Sequence, residues 1–167
     1  MGSGKKWPAL GFGVPLVVLL DQATKLHIHA RFTLHESRPI IDHFFDLTYV
    51  RNSGAAFGFL ARRNPDFLRW FFPVMTVLAL VALVVYFVRL PSGQPLTRWG
   101  LCLIMGGALG NGIDRLWLGQ VIDFLDVHWY NAYHWPAFNV ADSAICIGVG
   151  CLFLDAFRAA HQPQAAD

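Results

Sequence analysis

Charged side chains are scarce in this chain. Only 14% of its 167 residues are Asp, Glu, Lys or Arg, against about a quarter in an ordinary soluble domain. So few charges cannot clothe a water-facing surface, which makes an integral membrane protein the first expectation. Net charge is low as well, +2 at neutral pH, and with no basic run nothing argues for a nucleic-acid partner. Cysteine is limited to Cys102, Cys146 and Cys151, each inside an apolar stretch. They read as small buried hydrophobes rather than a disulfide framework or a thiolate metal site. Internal repeats and low-complexity tracts are missing. So is a small-residue cleavage site after the first apolar run, which is therefore expected to be retained.

What fills the chain is apolar: 55% of residues are hydrophobic, and mean hydropathy is +0.43. Four runs, at about 7–29, 67–90, 96–116 and 136–158, each reach the roughly 20 residues a helix needs to cross hydrocarbon. Backbone groups in lipid must be satisfied internally, so these runs are expected to be helices. Pro136 suits the first turn of the fourth. The expectation is an all-α membrane protein, one integral domain over 1–167 with four transmembrane helices. Residues 91–95 form a tight turn. Residues 30–66 mix β-branched and aromatic residues that predict short strands, followed by a turn at Ser53-Gly54. Residues 117–135 are rich in the Trp, Tyr and His found at membrane–water interfaces. Lys5, Lys6, Arg89, Arg98 and Arg158 fall on one side of a four-span topology, which the positive-inside rule makes the cytoplasm. Arg31, Arg38, Arg51, Arg62 and Arg63 in the long connection count against that orientation.

On this topology the polar residues collect on the far side, and the cytoplasmic half is expected to be almost bare of them. Asp21 and Lys25 share a helix face at the end of the first span and can pair. Asn111, Asp114 and Arg115 close the third span, Asn139 and Asp142 open the fourth, and Asn52 and Asp123 lie in the connections. Ionisable groups at membrane depth are costly and face a bundle interior or a wet cavity. Asp21 with Lys25, and Asp114 with Arg115, read equally well as helix staples. Asp123 and Asp142 have no adjacent cation. Two carboxylates brought together cannot both ionise cheaply, so such a pair holds one proton between them. One member can then take a proton from water while the other hydrogen-bonds a carbonyl, with no metal or other cofactor required. The macroscopic titrations belong to the pair.

Other classes meet specific objections. A proton-coupled transporter or channel needs polar groups through both leaflets. A metalloenzyme finds little support, since His27 and His29 lie on different helix faces and His43, His128 and His134 lack ligand spacing. An intramembrane aspartyl protease of the GxGD class is not indicated, since "GNGID" lacks that motif and too few spans are present. The stretch "NSGAAFGF" reads equally as a close-packing segment or a substrate-facing one, with Asn52 aimed by the turn at Gly54.

Five segments, "DQATK" (21–25), "NSGAAFGF" (52–59), "GGALGNGIDRL" (106–116), "VIDFLDVHW" (121–129) and "PAFNVADSAI" (136–145), occur in this order. Together they resemble bacterial lipoprotein signal peptidase, or signal peptidase II, over all but the tails. The resemblance implies that Asp123 and Asp142 are catalytic. It also implies that Asn52, Gly54, Asn111, Arg115 and Asn139 line the site and hold substrate, and that Asp21, Lys25 and Asp114 give polar support. The implied substrate is a prolipoprotein cut before a diacylglyceryl-modified cysteine, and globomycin-type cyclic peptides are the implied inhibitors. The implied location is the bacterial cytoplasmic membrane, with both termini cytoplasmic and the site toward the outer leaflet. A small β-cradle and a short periplasmic helix are expected from the long connection, and a monomer suffices.

Overall fold

A computed structural model describes residues 7–54, 64–91, 93–130 and 132–161. The order is α1 (Trp7–Arg31), β1 (Ser37–Ile41), β2 (Phe45–Asn52), α2 (Pro65–Arg89), α3 (Pro95–Leu118), β3 (Val121–Trp129), β4 (Tyr133–His134) and α4 (Val140–Ala160). The helix ends carry their own signals. Asn64 caps α2, its side chain accepting from the Asp66 N–H at 2.8 Å. Gly119 stops α3 in the left-handed region at φ 71°, its N–H returning to the Arg115 carbonyl, a conformation that costs glycine nothing.

Among the described residues, three helices are long and apolar enough to cross a membrane: α1, α2 and α4, with hydropathies of 1.3, 2.6 and 1.8. Four spans were expected. The third run does form a 24-residue helix, but α3 has Thr97 and Arg98 near one end and Asn111, Asp114 and Arg115 near the other, so its apolar stretch is interrupted. It is also the central helix, touching α1, α2 and α4, and it needs less apolar surface because its neighbours cover it. Glycine makes this closeness possible. A Cβ on Gly148 would lie 2.5 Å from the Gly100 carbonyl oxygen, the small-residue contact by which membrane helices approach. α2 is the opposite case, with Trp70, Val77, Leu78 and Val81 all more than half exposed, as suits a lipid-facing surface.

Away from the polar end, Leu101, Cys102, Met105, Phe87, Leu90 and Ala9 form a dry core. That end is not as bare as expected: the Thr97 hydroxyl donates to Asp155 across α3 and α4. Cys102 is buried, but Cys146 is exposed because it faces a cavity described below.

The four strands form an antiparallel sheet in the order β1-β2-β3-β4. The strands expected within 30–66 are β1 and β2. The central β3 comes from 117–135, where only an interfacial connection was expected. The helix expected over the long connection falls on residues outside those described. α4 begins four residues later than the sequence reading, at Val140, because Phe138 bridges to Leu125 of β3 and its carbonyl accepts from Phe124 and Leu125. Pro136 thus lies in the extended approach, not in the helix. Ile122 and Phe124 pack with Ile28 and Tyr49 beneath the sheet, which turns the intervening Asp123 to the opposite face.

Candidate active site

Asp123 stands on β3 opposite Val50 of β2, while Asn52 pairs with Val121. Asn52 is therefore the diagonal neighbour of Asp123 on one face, and its Nδ2 donates to Asp123 Oδ2 at 3.1 Å. The turn that follows aims it, since the Gly54 N–H donates to Asn52 Oδ1 at 2.9 Å.

Asp142 reaches the same place from α4. Asn139 caps that helix and Asp142 is its third residue. The Asp142 N–H donates to Asn139 Oδ1 and the Asn139 N–H donates to Asp142 Oδ2, closing a capping box at 2.9 and 3.2 Å. Asp142 therefore lies in the first turn of α4. The N-x-x-D spacing at 139–142 is a sequence signal for this box that the residue-spacing argument passed over.

Asn139 ties the two acids together. It is fully buried, and its Nδ2 donates to Asp123 Oδ1 at 2.7 Å and to the Ile122 carbonyl and Asn111 Oδ1 at 3.2 Å each. Asn111 Nδ2 in turn donates to Asp142 Oδ1 at 2.7 Å. Burial pushes the Asp123 carboxyl up to about 7; the negative charge of Asp142 adds to that, while the amides of Asn52 and Asn139 and the charge of Lys25 pull it back. Among the described residues, no Lys or Arg nitrogen is paired with either acid at ion-pair distance.

Asn52, Asn111, Arg115, Asp123 and Asp142 line one cavity of about 890 Å³. Asn139 is behind its wall, so it holds the acids and does not face the space. The rest of the lining is mostly apolar: Trp135, Pro136, Ala137 and Phe138 from the approach to α4, and Ile145, Cys146 and Ile147 from α4 itself. Cys146 lies one turn beyond Asp142, a spacing that places both on one helix face; this wall was missed in the sequence. Arg115 does not staple Asp114. Its guanidinium carbon is 4.5 Å from the centre of the Phe72 ring and its Nη2 donates to the Gly54 carbonyl at 3.4 Å.

Asp114 turns the other way and joins Asp21 around Lys25. Lys25 Nζ is 2.8 Å from Asp21 Oδ2 and 2.9 Å from Asp114 Oδ2, with all three side chains buried. Gln22, which sequence reasoning did not single out, donates to Asp21, to Asp114 and to the Gly110 carbonyl. Elsewhere on the sheet His128 and His134 stack 4.7 Å apart, each against an aspartate, Asp46 and Asp126.

Residues 14–158 match the family described as signal peptidase (SPase) II. The chain is 52% identical over 150 residues to the lipoprotein signal peptidase of Syntrophotalea carbinolica, covering 90% of this chain and 91% of that one. It is 42% identical over 151 residues to that of Pseudomonas aeruginosa, covering 90% and 89%. Among solved structures, a bacterial membrane enzyme determined by the in meso method superposes with a TM-score of 0.84 at 32% identity, covering 95% of this chain and 93% of that one.

Proposed function

The chain belongs to the signal peptidase II family, and we propose that Asp123 and Asp142 are the dyad with which it cleaves. It is an aspartic-type membrane peptidase that removes the signal peptide from prolipoproteins. The observation that carries the dyad is the meeting of two acids, from a strand and from a helix, on one cavity with neutral amides and, among the described residues, no paired cation.

The pair holds one proton. The ionised member takes a proton from a water, and the resulting hydroxide oxygen adds to the scissile carbonyl carbon. The protonated member hydrogen-bonds the carbonyl oxygen and supplies its proton as negative charge develops there. In the collapse of the resulting gem-diol, the member that took water's proton gives it to the leaving nitrogen as the C–N bond breaks. The other member takes a proton back from a gem-diol hydroxyl as the carbonyl re-forms, so the pair is again singly protonated. Asn52, Asn111 and Asn139 keep the carboxylates oriented, and Arg115 with the Gly54 backbone offers polar contacts to the peptide.

The wall of Ile145, Cys146 and Ile147 suits the acyl chains of a diacylglyceryl-modified cysteine, with the cut falling just before that residue. α3 serves as a fourth membrane helix, shielded by the other three, within a single integral domain. The enzyme resides in the bacterial cytoplasmic membrane as a monomer with both termini cytoplasmic, and its site opens toward the outer leaflet. The basic residues of one side favour this orientation. Globomycin-type cyclic peptides occupy the same cavity as inhibitors.

Paired precursors test the reading, one carrying the diacylglyceryl group and one without it. Cleavage of the lipidated form alone, insensitive to chelator and blocked by globomycin, is expected. Equal turnover of the unlipidated form removes the lipid from the recognition.

A further inference from the structure

Resting on the dyad reading above, we propose that Lys25 is a positioning residue that fixes the orientation of the Asn111 amide and, through it, the carboxylate of Asp142. An ammonium group carries three protons and no lone pair. All three are committed here: to Asp21 Oδ2, to Asp114 Oδ2, and to Asn111 Oδ1 at 2.8 Å. The two ion pairs account for charge; the third bond goes to a neutral amide.

That bond has a directional consequence. The two ends of an amide have nearly the same shape but opposite hydrogen-bonding character. A donor-only neighbour admits only the oxygen, so Asn111 must turn its Nδ2 away, onto Asp142 Oδ1 at 2.7 Å. A flipped amide would set oxygen against a carboxylate oxygen and forfeit both bonds. Asn139 Nδ2, also directed at Asn111 Oδ1, enforces the same sense.

The acids flanking Lys25 extend its reach to the backbone. Asp21 Oδ1 accepts from the Ala141 N–H at 2.9 Å, one residue before Asp142. Asp114 Oδ2 accepts from the Ile122 N–H at 3.1 Å, one residue before Asp123. Gly110 leaves the room for this: a Cβ there would collide with the Asp21 carboxylate. One buried cation thus orders the segments that present both members of the dyad.

The test compares wild type with K25M/D21N and N111L, in lipid-containing micelles, on a diacylglyceryl-modified precursor peptide. The double substitution removes one positive and one negative charge, so only Asp114 loses its cation, and it keeps the Gln22 amide and the Ile122 N–H as donors that hold the fold. Expected for K25M/D21N is a melting temperature close to wild type, KM within about twofold, and kcat lower by about 10²-fold, with its pH profile displaced by about one pH unit. N111L should show the same loss, and the combined triple variant should lose little more, because both changes remove one relay. Wild-type kcat with an unmoved pH profile in K25M/D21N overturns the proposal. Should that variant not accumulate folded, full kcat in N111L overturns it. Turnover by D142N would instead sink the dyad reading, whatever Lys25 does.

Discussion

Two sets of aspartates share one polar layer and differ in what holds them. Asp21 and Asp114 surround an ammonium at 2.8 and 2.9 Å. Asp123 and Asp142 are held by asparagine amides and backbone N–H groups. Two carboxylates closed around one ammonium are held as ion pairs, and removing that partner strands charge in a buried site. Among the second set, Asp123 is buried among neutral donors, and that burial pushes its carboxyl up to about 7. The neighbours thus give the same residue type two different settings, and the amide of Asn111 joins the two sets.

The strongest way to break this contrast is to neutralise one acid of the outer pair. D123N and D142N should each cut kcat/KM on a lipidated precursor by about 10³- to 10⁴-fold, with membrane insertion unchanged. Turnover near wild type in either variant removes that residue from the chemistry. The inner set should respond in the opposite currency. K25M alone leaves two buried carboxylates without their cation and should cost roughly 3–5 kcal/mol of stability, read by thermal melting in detergent; an unchanged melting temperature would mean that the cation does not hold the fold.

A third prediction comes from the proton on Asp123. Its carboxyl ordinarily titrates near 3.8 and is pushed up to about 7 in the fold. Between those values the folded state binds the extra proton, so stability is highest at the acid end and falls as pH rises toward 7, by up to roughly 4 kcal/mol. Wild type should therefore lose more melting temperature than D123N on going from about pH 5 to about pH 8. Equal losses would place no raised acid at 123. The smallest effect belongs to an exposed pair: E36Q breaks the contact of Glu36 with Arg38 and, like most surface pairs, should leave melting and cleavage unchanged.

The long helices were legible because their apolar runs are uninterrupted, and α2 most of all. The start of α4 was read four residues early because the β-bridge of Phe138 to Leu125 is a long-range contact that overrides a local proline signal. β3 escaped notice as a strand because its first half is buried on both faces, which erases the alternation that marks a half-buried strand. The Asp21–Lys25 pair follows from i,i+4 spacing and is present. Asp114 was matched to Arg115 by adjacency, yet neighbours one apart on a helix diverge, and Asp114 instead faces α1. The residues of the outer pair were identifiable from the motifs around them; their link through Asn139 needs the sheet register and the capping box together.

The most direct test of that contrast is infrared spectroscopy of the carboxyl groups in the folded enzyme, wild type against D123N, titrated across neutral pH. A protonated-carboxyl band is expected in wild type that disappears with a midpoint near 7 and is missing from D123N across that neutral range. A wild-type spectrum showing only ionised carboxylates well below that midpoint, or a band that survives in D123N, would contradict that expectation.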